Sequence, residues 1–216
     1  MKILALDSSG LVASVALTEE DALIAEYTIQ YKKTHSQTLL PMIHEIVNML
    51  EMDLGSLDAI AVAGGPGSFT GLRIGGATAK GLGLALKKPL VRVPTVETMA
   101  YNLWGSSALV CPIMDARRNQ VYTGLYHVEE GLEVVRRQCA MDMGELIGIL
   151  NGMGETVIFL GDGVDVCRPQ IEEEMKTNFR FAPASHNRQR AATVAALGME
   201  YYKKGMFGDA GAFVPD

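Results

Sequence analysis

Residues 63–83 contain eight glycines in twenty-one positions, and this density constrains the fold more than any other segment. The apolar run Ala59–Ala63 before it is typical of a short buried strand. Gly64-Gly65-Pro66-Gly67 predicts a turn with room for positive φ, and Ser68 or Thr70 predicts a helix cap. The segment therefore predicts a strand, a turn and a helix.

A turn that leads into a helix N-terminus can hold an anion through its backbone N–H groups, so phosphate binding and a purely structural role are both open. The segment is not a P-loop, because Gly71 is followed by Leu72 instead of Lys and Ser or Thr. Its glycine spacing also differs from the Rossmann pattern. The candidate cofactor-binding residues are Asp7, Ser8, Gly65, Gly67 and Arg73.

Four further glycines lie inside the predicted helix, although each costs about 0.5–1 kcal/mol relative to alanine there. They are Gly75, Gly76, Gly81 and Gly83. Gly71, Gly75, Ala79 and Gly83 recur every four residues and form a ridge with almost no side chains. The ridge predicts close packing against another backbone, which is either the protein's own core or a second subunit.

The composition, with 48% hydrophobic and 20% charged residues in a chain of 216, is that of a folded globular protein. A net charge of −6 offers nucleic acid no basic surface over the chain as a whole. Local arginine pairs, such as Arg117-Arg118 and Arg136-Arg137, are more typical of solvated or ion-paired side chains than of RNA recognition.

Cys111, Cys139 and Cys167 are odd in number and far apart, which favours free thiols in a reducing compartment. Asp7 interrupts the apolar stretch after Lys2, so no signal peptide is predicted, and no run approaches membrane-spanning length. We therefore expect a cytoplasmic protein with no membrane partner.

The order of predicted elements is nearly the same in the two halves of the chain. The first half has three strands, a helix, a strand, a helix and a strand, at Lys2–Asp7, 11–17, 23–30, 36–50, 58–63, 70–86 and Leu90–Val93. The second half has three strands, a helix, a strand and two helices, at 108–115, Gln120–His127, 132–138, 143–150, Val157–Leu160, 166–176 and 190–203.

This repetition predicts two versions of one plan, with Asp115 in the position of Asp7 and Gly161-Asp162-Gly163 in that of the glycine-rich turn. A boundary near Trp104 gives an N-terminal lobe at 1–104 and a smaller lobe at 105–216. A doubled βββαβα plan is the outline of the duplicated RNase H-like, actin-like (ASKHA) α/β fold, in which nucleotide binds between the lobes.

Several motifs along nearly the whole chain resemble the TsaB (YeaZ) family. They are Ile3-Leu-Ala-Leu-Asp-Ser-Ser, Thr34-His-Ser, Gly65-Pro-Gly-Ser-Phe-Thr-Gly-Leu-Arg-Ile-Gly, Pro94-Thr-Val-Glu and Asp115-Ala-Arg-Arg. The resemblance implies a role in making N6-threonylcarbamoyladenosine (t6A) at position 37 of tRNAs that read codons beginning with A. Members of the resembled family usually continue through a short segment past the position of Pro215-Asp216, where this sequence stops.

The resemblance further implies a non-catalytic scaffold that forms a homodimer alone and exchanges that contact for TsaD, the catalytic paralogue, with the ATPase TsaE joining and tRNA as the substrate of the complex. The first two helices of the first lobe are implied to make the contact, although Pro41 predicts a kink or a later start in the first. The predicted interface residues are His35, Leu39, Met42, Ile43, Ile46, Gly71, Leu72, Gly75, Gly76, Ala79 and Gly83.

Two enzymatic readings are the alternatives. An autonomous ATPase or phosphotransferase would use ATP or ADP, and Mg²⁺ at Asp7, Asp115 or Asp162, whereas strand-end acids also cap turns. A metallopeptidase is disfavoured, since His35 and His44 are nine residues apart and lie on opposite helix faces. No catalytic residue, metal or resident cofactor is expected. We expect Arg73 to pair with Asp7 or Glu97, or else with an anion above the turn.

Overall fold

A computed structural model describes residues 1–31 and 35–214. Thr34 of the Thr34-His-Ser motif, and Pro215 and Asp216, lie outside the described residues. The chain divides into two compact units, one made of Met1–Thr98 with Gln189–Asp216 and the other of Met99–Arg188. Within the described part of the chain, no helix is both long and apolar enough to cross a bilayer.

The described residues form ten strands and six α-helices. The strands are β1 Lys2–Asp7, β2 Val12–Glu19, β3 Ala22–Gln30, β4 Ala59–Ala63, β5 Leu90–Val93, β6 Leu109–Arg117, β7 Gln120–His127, β8 Glu133–Asp142, β9 Val157–Leu160 and β10 Phe179–Phe181. The helices are α1 His35–Met49, α2 Phe69–Leu86, α3 Thr95–Tyr101, α4 Met143–Met153, α5 Gly163–Glu174 and α6 Ala191–Lys203.

The two sheets repeat one topology, which confirms the predicted duplication. The first has the order β3-β2-β1-β4-β5 and the second the corresponding order β8-β7-β6-β9-β10. In each sheet the first three strands pair antiparallel, while the fourth and fifth run parallel to the first. The parallel strands are joined by helices, as crossover connections between parallel strands require.

Two elements were not predicted. β10, the counterpart of β5, has only three residues and pairs with β9 alone, which is too short a pattern to identify in a sequence. The seven-residue α3 follows directly after β5 and lacks a long apolar repeat. Pro41 lies inside α1, which begins at His35, so the alternative of a later helix start is wrong.

The C-terminal segment belongs to a different unit from the one predicted. The structure groups Gln189–Asp216 with the first unit, and not with a second lobe at 105–216. The N–H of Ala191 donates to Ser14 Oγ in β2 at 2.9 Å, and Arg190 is ion-paired with Glu26 in β3. Gly198 of α6 lies so close to β4 that an added Cβ would be 2.7 Å from Cβ of Ala61. α6 therefore completes the first unit.

Candidate functional site

Helices α1 and α2 pack on the first sheet, and local contacts define both ends of α2. Ser68 caps α2 by accepting the N–H of Gly71 at 3.3 Å, which confirms one of the two predicted caps. Lys87 ends α2 in the left-handed conformation. Apolar side chains of α1 and α2 then fill the core between these helices and strands β1, β2 and β4.

The predicted interface residues on these helices need a correction, since all of them except His35 are buried inside the first unit. The buried set is Leu39, Met42, Ile43, Ile46, Gly71, Leu72, Gly75, Gly76, Ala79 and Gly83. His35 is half-buried, and its Nε2 lies 2.9 Å from the carbonyl oxygen of Gly10. The apolar surplus of α1 thus belongs in part to the core, and these side chains are not available to a partner.

The glycine ridge of α2 packs against the protein's own chain. The Ser8 hydroxyl donates to the carbonyl of Gly71 at 2.8 Å, and a Cβ at Gly71 or Gly75 would overlap the Ser8 carbonyl or the Ser8 Oγ. At Gly83, a Cβ would be 2.7 Å from Cβ of Ala210. The ridge therefore lets α2 approach the end of β1 and the C-terminal segment closely, which is the intramolecular alternative.

A second ridge of small residues remains exposed on α2. Ala77, Gly81 and Ala85 recur every four residues and are all exposed, and nothing lies within 4 Å of the position of a Cβ at Gly81. This ridge is displaced by two residues from the buried one, which is about 200° around the helix. Exposed apolar side chains accompany it on the two helices: Leu40, Phe69 and Leu84. We call these six residues the outer face of α1 and α2.

The glycine-rich turn uses its backbone N–H groups within the chain. The N–H of Gly64 donates to Val93 O at 2.8 Å, and that of Gly65 donates to Thr95 Oγ1 at 3.1 Å. The N–H of Ser68 donates to Ser9 O at 2.7 Å. These donors would have to leave their partners to hold a phosphate, so the contacts favour the structural interpretation of the turn.

Asp7 ends β1 and stabilises the turn that follows. Its Oδ1 accepts the N–H and the hydroxyl of Ser9 at 2.9 and 2.6 Å. Burial raises the pKa of Asp7 to about 6, against the lowering effect of the Ser9 hydrogen bonds and of nearby His35. Among the described residues, Asp7 Oδ2 and His35 Nδ1 are buried without a hydrogen-bond partner.

Arg73 contacts an aromatic ring and neither of its predicted carboxylate partners, Asp7 and Glu97. Its guanidinium carbon lies 3.7 Å from the centre of the Phe69 ring, an arrangement typical of a cation–π contact. The carboxylates are engaged elsewhere, since Asp7 accepts from Ser9 and Glu97 accepts from the hydroxyl of Tyr201. Arg73 and Phe69 are both exposed, so Arg73 lies next to the outer face through its contact with Phe69.

The corresponding acids of the second unit also act in turns. Asp115 Oδ1 accepts the N–H of Arg117 at 2.8 Å, and Asp162 Oδ1 accepts the N–H of Asp115 at 3.3 Å. Burial is the main cause of the raised pKa of Asp162. In residues 1–31 and 35–214, no three His, Cys, Asp or Glu side chains are grouped so that they could hold a metal ion.

Comparisons with known proteins agree with this architecture. The family model TsaD, described as tRNA N6-adenosine threonylcarbamoyltransferase, matches residues 22–215. TsaB of Bacillus subtilis, described as a tRNA threonylcarbamoyladenosine biosynthesis protein, is 39% identical over 93% of this chain and 88% of its own.

Solved structures agree as well. YeaZ from Pseudomonas aeruginosa superimposes with a TM-score of 0.82 at 26% identity over 100% of both chains. The polyphosphate/ATP-glucomannokinase of an Arthrobacter strain superimposes with a TM-score of 0.54 at 10% identity over 94% of this chain and 99% of its own. The latter likeness concerns the fold alone, and it supports the actin-like class.

Proposed function

The chain belongs to the TsaB (YeaZ) family of tRNA threonylcarbamoyladenosine biosynthesis proteins, and from that premise we propose that it serves in t6A synthesis as the non-catalytic partner of a TsaD-type enzyme. The observation that carries the proposal is the similarity to Bacillus subtilis TsaB along almost the whole chain. The match to the TsaD family model supports a paralogous partner, since related subunits can pair through equivalent elements.

Local contacts support a scaffold role. Ser8 and Ser68 are committed to the backbone of α2, and the N–H groups of Gly64 and Gly65 donate within the chain. These groups hold the first sheet and α2 together. The alternative of an autonomous ATPase or phosphotransferase is not favoured, because the likeness to a kinase is one of fold only.

The outer face of α1 and α2 is the proposed contact with the TsaD-type subunit. Phe69 and Leu84 are 61% and 54% exposed, while Ala77, Gly81 and Ala85 between them allow another helix to approach closely. We propose that the same face pairs two copies when the partner is absent. Within this proposal, a TsaE-type ATPase joins the complex, tRNA is the substrate of the complex, and t6A synthesis takes place in the cytoplasm.

Light scattering of the chain, alone and with its TsaD-type partner, tests the proposal. We expect a homodimer that converts to a one-to-one heterodimer. Gly81→Glu should abolish both, because it adds bulk and charge to the small-residue ridge while a side chain there meets open space in the folded monomer. Gly148→Glu is the matched control, since Gly148 lies in the middle of α4 with equally open surroundings.

The outcomes separate the possible errors. A wild-type chain that stays monomeric and does not bind the partner would overturn the scaffold function. A folded Gly81→Glu variant that pairs like wild type would keep the function but remove the contact from the outer face. Circular dichroism of each variant shows whether it is folded.

A further inference from the structure

Two helix ends of the first unit carry lysines that are far apart in the sequence. Lys87 and Lys88 follow α2, and Lys203 and Lys204 stand at the end of α6. The segment after α6 returns to β5, where Gly208 and Leu90 exchange two backbone hydrogen bonds of 2.9 Å each. Both helix ends are thereby held at the same edge of the first sheet.

The charge at this edge is opposite to that of the whole chain. Residues 84–89 and 200–209 contain four lysines and two acids, which gives a local charge of +2 in a chain of net charge −6. Both acids are engaged, as Glu200 lies 3.8 Å from Lys204 and Asp209 accepts the N–H of Gly211 at 2.7 Å. In the described part of the chain, Lys87, Lys88 and Lys203 form no ion pair.

An aromatic ring lies beside Lys87 and Lys88. Phe207 stacks on Tyr202 with ring centres 4.6 Å apart, yet it remains 48% exposed. It lines a surface hollow of about 560 Å³ together with Lys87 and Lys88. One face of the ring is therefore covered by Tyr202, and the rest of the ring is open beside two cations.

Helix dipoles account for only part of this arrangement. Cations stabilise the negative C-terminal end of a helix, and Lys203 in the last turn of α6 fits that role. Lys87, the C-cap residue of α2, fits the same role, whereas Lys88 lies one residue beyond it. The dipole also gives no reason for an exposed phenyl ring among the lysines.

We infer that this lysine–aromatic surface, made of Lys87, Lys88, Lys203 and Phe207, contacts the tRNA of the t6A complex. Lysine ammonium groups neutralise phosphates, and an exposed aromatic ring stacks on an unpaired base. Such contacts carry little sequence information, so the surface positions the tRNA and leaves recognition of the modified base to other groups. The inference rests on the proposed function, which brings tRNA to this protein.

The test measures tRNA binding to the assembled complex of this chain with its TsaD-type partner. Fluorescence anisotropy gives the affinity at each of a series of salt concentrations. The probe is an unmodified transcript of a tRNA that reads a codon beginning with A. Lys87→Gln with Lys203→Gln should weaken binding on the order of tenfold and lower the salt slope by roughly 1.5, since each lost phosphate contact removes about 0.7–0.9.

Phe207→Leu should weaken binding roughly tenfold with an unchanged salt slope, because it removes stacking and no charge. The matched control is Lys176→Gln with Arg180→Gln, which removes two exposed cations of the second unit and should bind like wild type. Light scattering first establishes that each variant still forms the complex.

Variants that assemble and bind tRNA with wild-type affinity and slope would overturn the inference and leave the proposed function standing. An equal loss of tRNA affinity in the control variant, Lys176→Gln with Arg180→Gln, would also overturn the inference, since affinity would then depend on the total charge and not on this surface. A wild-type chain that forms no complex would overturn the proposed function, and the inference with it.

Discussion

Replacing Gly75 or Gly81 by alanine should change stability in opposite directions, although both residues lie in α2. Each substitution gains about 1 kcal/mol of helix propensity. At Gly81 nothing lies within 4 Å of the new methyl group, so the gain is retained. At Gly75 the methyl group would overlap the hydroxyl oxygen of Ser8 and contact Val62 Cγ2 at 3.8 Å.

The cost at Gly75 follows from what Ser8 does. Its hydroxyl is buried and donates to Gly71 O at 2.8 Å, so displacing it leaves a buried donor without a partner. That costs about 1–3 kcal/mol, and crowding in a packed core adds about 1–3 kcal/mol. After the propensity gain is subtracted, we expect Gly75→Ala to lose about 1–5 kcal/mol and Gly81→Ala to gain about 0.5–1 kcal/mol.

Urea unfolding followed by far-ultraviolet circular dichroism measures both changes. Because the chain has two units, the comparison requires an unchanged slope of the unfolding free energy against urea concentration. Gly148→Ala in α4 is the control and should gain as Gly81→Ala does, since its surroundings are also open. A Gly75→Ala variant as stable as Gly81→Ala, with self-association lost, would refute the intramolecular packing of the ridge.

Two further predictions concern titratable groups. Burial raises the pKa of Asp7 from 3.8 to about 6, so the stability that its proton contributes is present below about pH 4 and is lost as the pH rises through 6. The free energy of unfolding should fall by about 3 kcal/mol between about pH 4 and pH 7. Urea unfolding of Asp7→Asn should not show this fall. A pH dependence like that of the wild type in Asp7→Asn would contradict the account. Burial also raises the pKa of Cys111 to about 12, whereas Cys139 is only half-buried, so an aromatic disulfide reagent should modify Cys139 first in the folded protein. Cys139→Ser should remove the fast phase of that reaction, and its persistence would show that another thiol is exposed.

Much of the architecture could be predicted because local patterns determine it. β1, β5, β7 and β9 have the predicted bounds, since each is an apolar or alternating run bounded by turn residues. Ser68 is a cap in the structure because it directly precedes the helix and its hydroxyl reaches the N–H of Gly71. The repeated element order likewise predicted two sheets of one topology.

The site could be predicted only to the level of the helices that form it. Period-four spacing identifies a ridge such as Gly71-Gly75-Ala79-Gly83, but the spacing is the same whether the ridge faces the protein's own β1 turn or a second subunit. Only the tertiary structure shows that Ser8 occupies the space above Gly71 and Gly75. The exposed ridge of Ala77, Gly81 and Ala85 gives a weaker sequence signal, because only one of its three residues is glycine and alanine is common in any helix.

The sequence by itself determined most of the strands, the Ser68 cap of α2 and the duplication, because these depend on neighbours along the chain. The tertiary structure decided that α6 packs on the first sheet, that the glycine ridge is core, and that the segment after α6 pairs with β5 beside Lys87 and Lys88. Those outcomes depend on contacts between segments up to 177 residues apart, and local propensity does not determine which distant segments meet.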